Sequence, residues 1–392
     1  MMNVCKRSAT LLLATLSISN VKGFSLVSKR RMSPVSCLKM AKSQLEQLAG
    51  MTTLSIDSGD LNVIKKFADT GYITDATTNP LFVAQAGLSQ DNPMYSQMIS
   101  DAVNYAIENA SQESEIVALS MERLSVELGA AIAKIVPGYI STEVDPRLSF
   151  DRDESIARAL RIIDMYQKDK GLAKERVLIK LAATWEGIMA AEVLERDHGI
   201  QCNLTLVFSL VQAVACAQRG AHLISPFPGR VLDWYNVKLG RPNGVETPQL
   251  DEGVIACTAM YNFYKKYNYD TICMPASWRP SRGKGFELDE IRALAGSDRM
   301  TIPPPLLEKL AESMDELPQL LMSETASACS DDAFDGMSPS LLDEKEFRYR
   351  MNMDGCCTEK LAEGLRAFIG ETEKLEKAMG DRVREALAKV AA

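Results

Sequence analysis

Lys180 stands in the middle of Val177-Leu178-Ile179-Lys180-Leu181-Ala182, a short apolar run with no other charge. Desolvation disfavours an ammonium there and drives the amine toward its neutral form. A neutral amine in an apolar pocket is the nucleophile that Schiff-base chemistry needs. A lysine on the wet face of a half-exposed strand would look the same in isolation, so its company decides. Other short apolar runs also carry polar groups at or near their ends: Asp57, Thr77, Asn79, Glu143, Asp145, Asn203, Thr205, Ser225, Ser277 and Arg279.

The elements that must position these groups follow from periodicity. Runs rich in β-branched residues predict strands near 52–57, 73–79, 139–145, 176–182, 202–208, 222–227, 271–277 and 299–304. Apolar residues spaced i, i+3, i+4, i+7 predict helices over 153–169, 185–197, 209–219 and 253–268. Strands separated by helices mean βαβ units and a parallel sheet. Eight such strands in about 260 residues fit an α/β (β/α)8 barrel. The expected fold is that barrel with extra helices, two of them at about 95–110 and 113–135, and a helical C-terminal segment whose last helix runs from about 359 to 390. A doubly wound open sheet is the alternative, but no Gly-rich phosphate loop follows the first strand. In a barrel the polar strand ends meet at one mouth, and seven of the eight strands contribute to it. Individually, Asn79 and Ser225 before prolines read as turn chemistry and Asp57 as a helix cap.

The chain of 392 residues, 46% hydrophobic and 24% charged, has the composition of an ordinary globular protein. Its formal charge of −8 is unevenly spread. Residues 1–45 hold eight Lys or Arg and no acid, which leaves 36 basic against 52 acidic residues in 46–392. That acidic remainder argues against nucleic acid or an anionic membrane as partner. The apolar stretch Ala9 to Ile18 after Lys6-Arg7 has the length of a signal-peptide core, and no later run is long enough to span a bilayer. A Ser-rich, basic, acid-free stretch follows from Phe24 to about Ser43. We therefore read 1–45 as a targeting presequence and 46–392 as the barrel domain. The order of signal and transit-like parts is similar to the bipartite presequences of algae with secondary plastids; a secretory or mitochondrial leader is the alternative.

Nine scattered cysteines without a CxxC pair do not form a disulfide framework, and Cys202, Cys216, Cys257 and Cys273 read as core. Two histidines, His198 and His222, leave no poly-His zinc site and little room for a Ser-His-Asp triad. No metal is expected.

Five blocks then carry a resemblance: Asp75-Ala-Thr-Thr-Asn-Pro80, Ile140-Ser-Thr-Glu-Val-Asp145, Ile179-Lys-Leu-Ala-Ala-Thr-Trp-Glu-Gly187, Cys202-Asn-Leu-Thr-Leu206 and Leu223-Ile-Ser-Pro-Phe227. With Gly229-Arg-Val-Leu-Asp-Trp-Tyr235 and Lys360-Leu-Ala-Glu-Gly364, the chain from about residue 50 onward resembles the transaldolases. The resemblance implies a (β/α)8 barrel that transfers a dihydroxyacetone unit between sugar phosphates through a lysine Schiff base. The implied pairs are sedoheptulose 7-phosphate with glyceraldehyde 3-phosphate, and fructose 6-phosphate with erythrose 4-phosphate in reverse. It also implies a homodimer, for which the helical C-terminus is an available interface.

The chemistry asks for matching residue types. Cleaving a C–C bond beside a carbonyl needs an electron sink, which a protonated imine on Lys180 supplies, so no dissociable cofactor is called for. Forming and hydrolysing that imine moves protons on oxygen, a task for Glu143 acting through a water held by Thr205. The resemblance assigns the second carboxylate, Asp57, to the hydroxyl whose carbon becomes the leaving aldehyde. Asn79 and Asn203, with Thr77 and Ser225, would hold the donor's hydroxyls. Arg230 and Arg279 suit bidentate phosphate binding, with Ser277 adding a hydroxyl. Phe227 would limit water near the imine; aldolases of the same superfamily carry Tyr at the matching place.

The chain departs from the resemblance at Met274-Pro-Ala-Ser-Trp-Arg-Pro280, where the family reads Met-Gly-Ala-Ser-Phe-Arg-Asn. Pro275 removes a backbone donor from a strand expected to be buried, and Ser281–Phe286 reads as a small insertion. Three readings stand: a transaldolase, an aldolase releasing free dihydroxyacetone, and a silent sugar-phosphate-binding barrel.

Overall fold

The computed structural model describes residues 41–89 and 92–391. The presequence reading lies outside the described residues up to Met40, but its last residues belong to the packed body. Ser43 caps a short helix, Gln44–Ala49. Leu45 is buried, and Gln44 Oε1 accepts from the Arg292 guanidinium. The folded unit therefore starts a few residues before 46, because the amphipathic turn after Ser43 has an apolar face to bury.

Eight parallel strands form the core: β1 (Thr53–Asp57), β2 (Ile73–Thr77), β3 (Ile140–Glu143), β4 (Val177–Ala182), β5 (Cys202–Val207), β6 (Leu223–Pro226), β7 (Ile272–Cys273) and β8 (Arg299–Ile302). Each pairs with its neighbours in the order β7-β6-β5-β4-β3-β2-β1-β8, the sequence order of a (β/α)8 barrel. The open-sheet alternative is thereby excluded. Side chains alternate on each strand. On β4, Val177, Ile179 and Leu181 join the core shared with the helices. The other set faces inward: Leu178 packs with Leu223 and Met274, while Ala182 belongs to a cluster with Phe208, Phe227 and Phe368. Lys180 stands between this lower plug and the upper cover.

The seam between β7 and β8 is sparse, and Pro275 explains why. Met274 N–H and Ala276 N–H donate to Ile224 and Pro226 carbonyls at 2.9 Å, so contact with β6 continues past Cys273. Pro275 takes the alternate position, whose N–H would face β8. It breaks the seam, not the ladder to β6. Three bonds close the seam: Thr301 N–H to Pro275 O (3.2 Å), Cys273 N–H to Asp298 Oδ2 (3.1 Å), and Trp278 Nε1–H to Thr301 O (2.8 Å). The expected strand 271–277 is correspondingly shorter.

Three helices, not two, fill the interval between β2 and β3: Pro80–Leu88, Pro93–Asn109 and Glu113–Ala133. The first was hidden because its apolar residues lie all round it; its signal is Asn79 as N-cap with Pro80 at the first turn. The last helix, Gly355–Ala391, begins earlier than expected and crosses the mouth against β5. Gly364 permits the approach, since a Cβ there would lie 2.7 Å from Leu206 Cδ2. Cys202, Cys216, Cys257 and Cys273 are all buried, as their surroundings indicated.

Candidate active site

Strand register places the chemistry. Lys180 pairs with Glu143 on one side and Asn203 on the other. Its Nζ lies 2.9 Å from Glu143 Oε2 and donates to Thr78 O at 3.2 Å, and the lysine is 5% exposed. The run around it carries no second charge, yet the barrel supplies one from the next strand. Lys180 is thus a paired amine, and the carboxylate expected near it, Glu143, lies in direct contact. Burial raises the Glu143 carboxyl above its ordinary value, and Lys180 and Arg230 pull it partly back.

Asp57, at the end of β1, is raised in the same way by burial, offset by Lys180, a hydrogen bond from Thr77 and Arg230. Thr77 Oγ1 donates to Asp57 Oδ1 at 3.0 Å and lies 2.7 Å from Thr301 Oγ1. Asn203 is fully buried and held at both ends: its Nδ2 donates to Ser141 Oγ at 3.2 Å, and Ser225 Oγ donates to its Oδ1 at 2.8 Å. Thr205 Oγ1 is buried with no hydrogen-bond partner among the described residues. Asn79 does serve as a cap, its Oδ1 accepting from Phe82 N–H at 3.2 Å. Asp145 pairs with Arg147 and caps Pro146–Leu148.

The rim is cationic. Arg230 Nε donates to Ser277 Oγ at 3.3 Å, and its guanidinium carbon sits 4.9 Å from the Phe227 ring centre. Burial and the neighbouring Arg279 both disfavour its charge, offset in part by Glu363, Asp233 and Asp57. Arg279 is held by Asp233 (3.0 Å) and by its own backbone N–H on Glu290 (2.6 Å). Ser277 adopts φ of 63°, a left-handed conformation rare for a residue with a side chain. Gly229 makes room for this loop, because a Cβ there would meet Ser277 O at 2.4 Å. Behind it the segment 281–286 is anchored by Ser281, whose buried hydroxyl donates to Asp251 at 2.6 Å. A side cavity of about 260 Å³ reaches Asn79 and Glu143 from the helix 113–133 side.

Three contributors had no signal among the motifs. Phe368, from the C-terminal helix, lies over Lys180 (5.7 Å) and Arg230 (5.9 Å). Gln212 is fully buried and bonds Ala183 O, Leu206 O, Phe208 N–H and Cys357 Sγ. It fastens the ends of β4 and β5 to each other and holds Leu206 at φ of 56°. Thr301 reaches Asp57 only through Thr77.

Fold and site define a (β/α)8 barrel with a buried lysine facing carboxylates in its mouth and arginines at the rim. Residues 54–379 match the family model described as Transaldolase/Fructose-6-phosphate aldolase, and the chain belongs to that family. It is 44% identical over 342 residues to the transaldolase of Alteromonas mediterranea, covering 87% of this chain and 99% of that protein. It is 43% identical over 351 residues to the transaldolase of Sus scrofa, covering 90% and 97% respectively. Transaldolase 1 of Pectobacterium atrosepticum is 44% identical over 335 residues, covering 85% and 98%.

Proposed function

We propose that this protein is a transaldolase that moves a dihydroxyacetone unit from a ketose phosphate to an aldose phosphate. Sedoheptulose 7-phosphate with glyceraldehyde 3-phosphate is the expected pair. The observation that carries the reading is the 2.9 Å contact between Lys180 and Glu143 at the mouth of a barrel of this family. Glu143 takes the ammonium proton, and the freed amine attacks the ketose carbonyl. The same carboxyl returns a proton to the departing hydroxyl, through a water held at Thr205 Oγ1, and the iminium forms. Asp57 then accepts the proton of the C4 hydroxyl as the C3–C4 bond breaks. The bond's electrons flow into the iminium, giving an enamine on Lys180 and a free aldose phosphate. The acceptor aldehyde adds to the enamine by the reverse steps.

Asn203, Asn79, Thr77 and Ser225 hold the hydroxyls of the three-carbon unit while it waits. The phosphate rests on Arg230, Arg279 and Ser277. Phe227 and Phe368 keep the upper side of Lys180 apolar, which limits attack by free water and favours transfer over release. An assay of fructose 6-phosphate cleavage with and without erythrose 4-phosphate tests this. Turnover that requires the acceptor is expected. Equal release of dihydroxyacetone without it would assign an aldolase instead, and no turnover with intact binding a silent barrel.

Two further parts of the reading are proposals of the same kind. The basic, acid-free residues 1–45 support delivery to a plastid, tested by fusing them to a fluorescent protein in an alga with a secondary plastid. The exposed Val237, Leu239 and Ile255, on neighbouring helices, support a homodimer, tested by light scattering.

A further inference from the structure

We propose that Thr301, on β8, is a positioning residue that acts on Asp57 through Thr77 and sets the pH at which Asp57 becomes a base. The inference deepens the proposed reaction and rests on that reading. Its basis is proton counting among buried groups. Asp57, when ionised, can only accept hydrogen bonds, and Thr77 Oγ1 donates to it at 3.0 Å. A hydroxyl has one proton, so Thr77 has none left for Thr301. At 2.7 Å the Thr301 hydroxyl must then be the donor to Thr77. The chain Thr301 to Thr77 to Asp57 points every O–H toward the carboxylate. Such a row polarises itself, and each bond strengthens the next.

When Asp57 takes up the substrate proton the row can turn round. Thr77 accepts from the new carboxyl O–H and donates to Thr301. No atom moves except hydroxyl protons, so the site accommodates both states of Asp57 without rebuilding. Thr77 and Thr301 are 4% and 3% exposed, so water does not compete.

The backbone of Thr301 is fixed on both sides. Its N–H donates to Pro275 O at 3.2 Å and its carbonyl accepts the Trp278 indole at 2.8 Å. Pro275 removes one donor from the β7–β8 seam and Trp278 restores one, on the residue that ends the hydroxyl row. The charged groups facing Asp57 are Lys180 from β4 and Arg230 from the helix Pro228–Leu239; Glu143 on β3 is engaged by Lys180.

The test is the pH profile of kcat/KM for donor cleavage in Thr301→Val and Thr301→Ser. Valine keeps the shape and loses the hydroxyl, so ionised Asp57 is less stabilised. The acid limb should move up by about half a pH unit, an activity loss of about threefold on that side with little change above it. Serine should restore the wild-type limb. A folded Thr301→Val protein whose limb stays in place, or a serine variant that fails to restore it, would overturn the assignment. Should valine prevent folding, Thr301→Ala, which also removes the hydroxyl, is read in its place: an upward limb supports the role and an unmoved limb refutes it. Borohydride trapping of the three-carbon adduct in the wild-type enzyme is scored separately. Its absence would defeat the proposed reaction, whereas trapping with an unmoved limb defeats only the role of Thr301.

Discussion

Lys180 Nζ and Glu143 Oε2 lie 2.9 Å apart on paired positions of adjacent strands, with side chains 7% and 6% exposed. A buried ion pair of this kind needs close geometry to offset its desolvation. Here it also solves the chemical problem of the site, since the proton that must leave the amine has an acceptor in contact.

Glu143→Gln should therefore lower kcat by about 10²–10³-fold, because glutamine cannot carry a proton between the amine and the departing hydroxyl. The rate at which borohydride-trappable adduct accumulates should fall in parallel, while KM for the donor changes little. Rapid-quench trapping followed by mass measurement reads both.

Removing Arg230 or Arg279 should act on binding. A charge-assisted phosphate contact contributes about 1.5–3 kcal/mol, so KM for sugar phosphates should rise roughly ten- to hundredfold for Arg279→Ala. Kinetics with an unphosphorylated ketose should stay unchanged. Arg279→Lys should recover only part of the loss, since an ammonium cannot form the bidentate pair.

Much of this was legible from residue types alone. Lys180 in its apolar run, and polar groups ending seven strands, located the mouth because strand ends in a barrel converge. Sequence placed Glu143 near the amine but could not show that the two touch, because adjacency between strands depends on register. Thr301, Gln212 and Phe368 were illegible for a related reason. Thr301 meets Thr77, and Phe368 meets Lys180, across more than a hundred residues of chain; Gln212 meets Ala183 and Leu206 over shorter separations, but only because two strand ends converge on it. Pro275 was visible as an anomaly, but which of its two neighbouring strands lost the hydrogen bond depended on the pleat.

Gln212→Met should leave the Ala183 and Leu206 carbonyls and the Phe208 N–H short of a buried partner. A loss of about 2–4 kcal/mol is expected, on the order of 1–3 kcal/mol per orphaned group with partial relaxation. The urea midpoint should drop with an unchanged slope.

Glu195 provides a pH test remote from the mouth. Its Oε1 accepts from Cys202 N–H (2.7 Å) and His222 N–H (2.8 Å) at the start of β5 and β6. Burial pushes its carboxyl up to about 7 despite those two donors. A native-state value above the unfolded one stabilises the fold at low pH, and that contribution fades as pH rises through about 7. Glu195→Gln keeps an acceptor and cannot ionise. Relative to it, the wild type should lose about 1–2 kcal/mol between roughly pH 5 and 8, allowing for partial solvent contact. Denaturation midpoints of both proteins across that range check the difference.

Lys180 as the imine-forming nucleophile is most directly tested by borohydride reduction of protein lacking residues 1–40, incubated with fructose 6-phosphate, followed by peptide mass mapping. A reduced three-carbon adduct on Lys180, abolished in Lys180→Ala, is expected. A folded protein that binds the sugar phosphate yet leaves Lys180 unmodified would contradict the proposed chemistry.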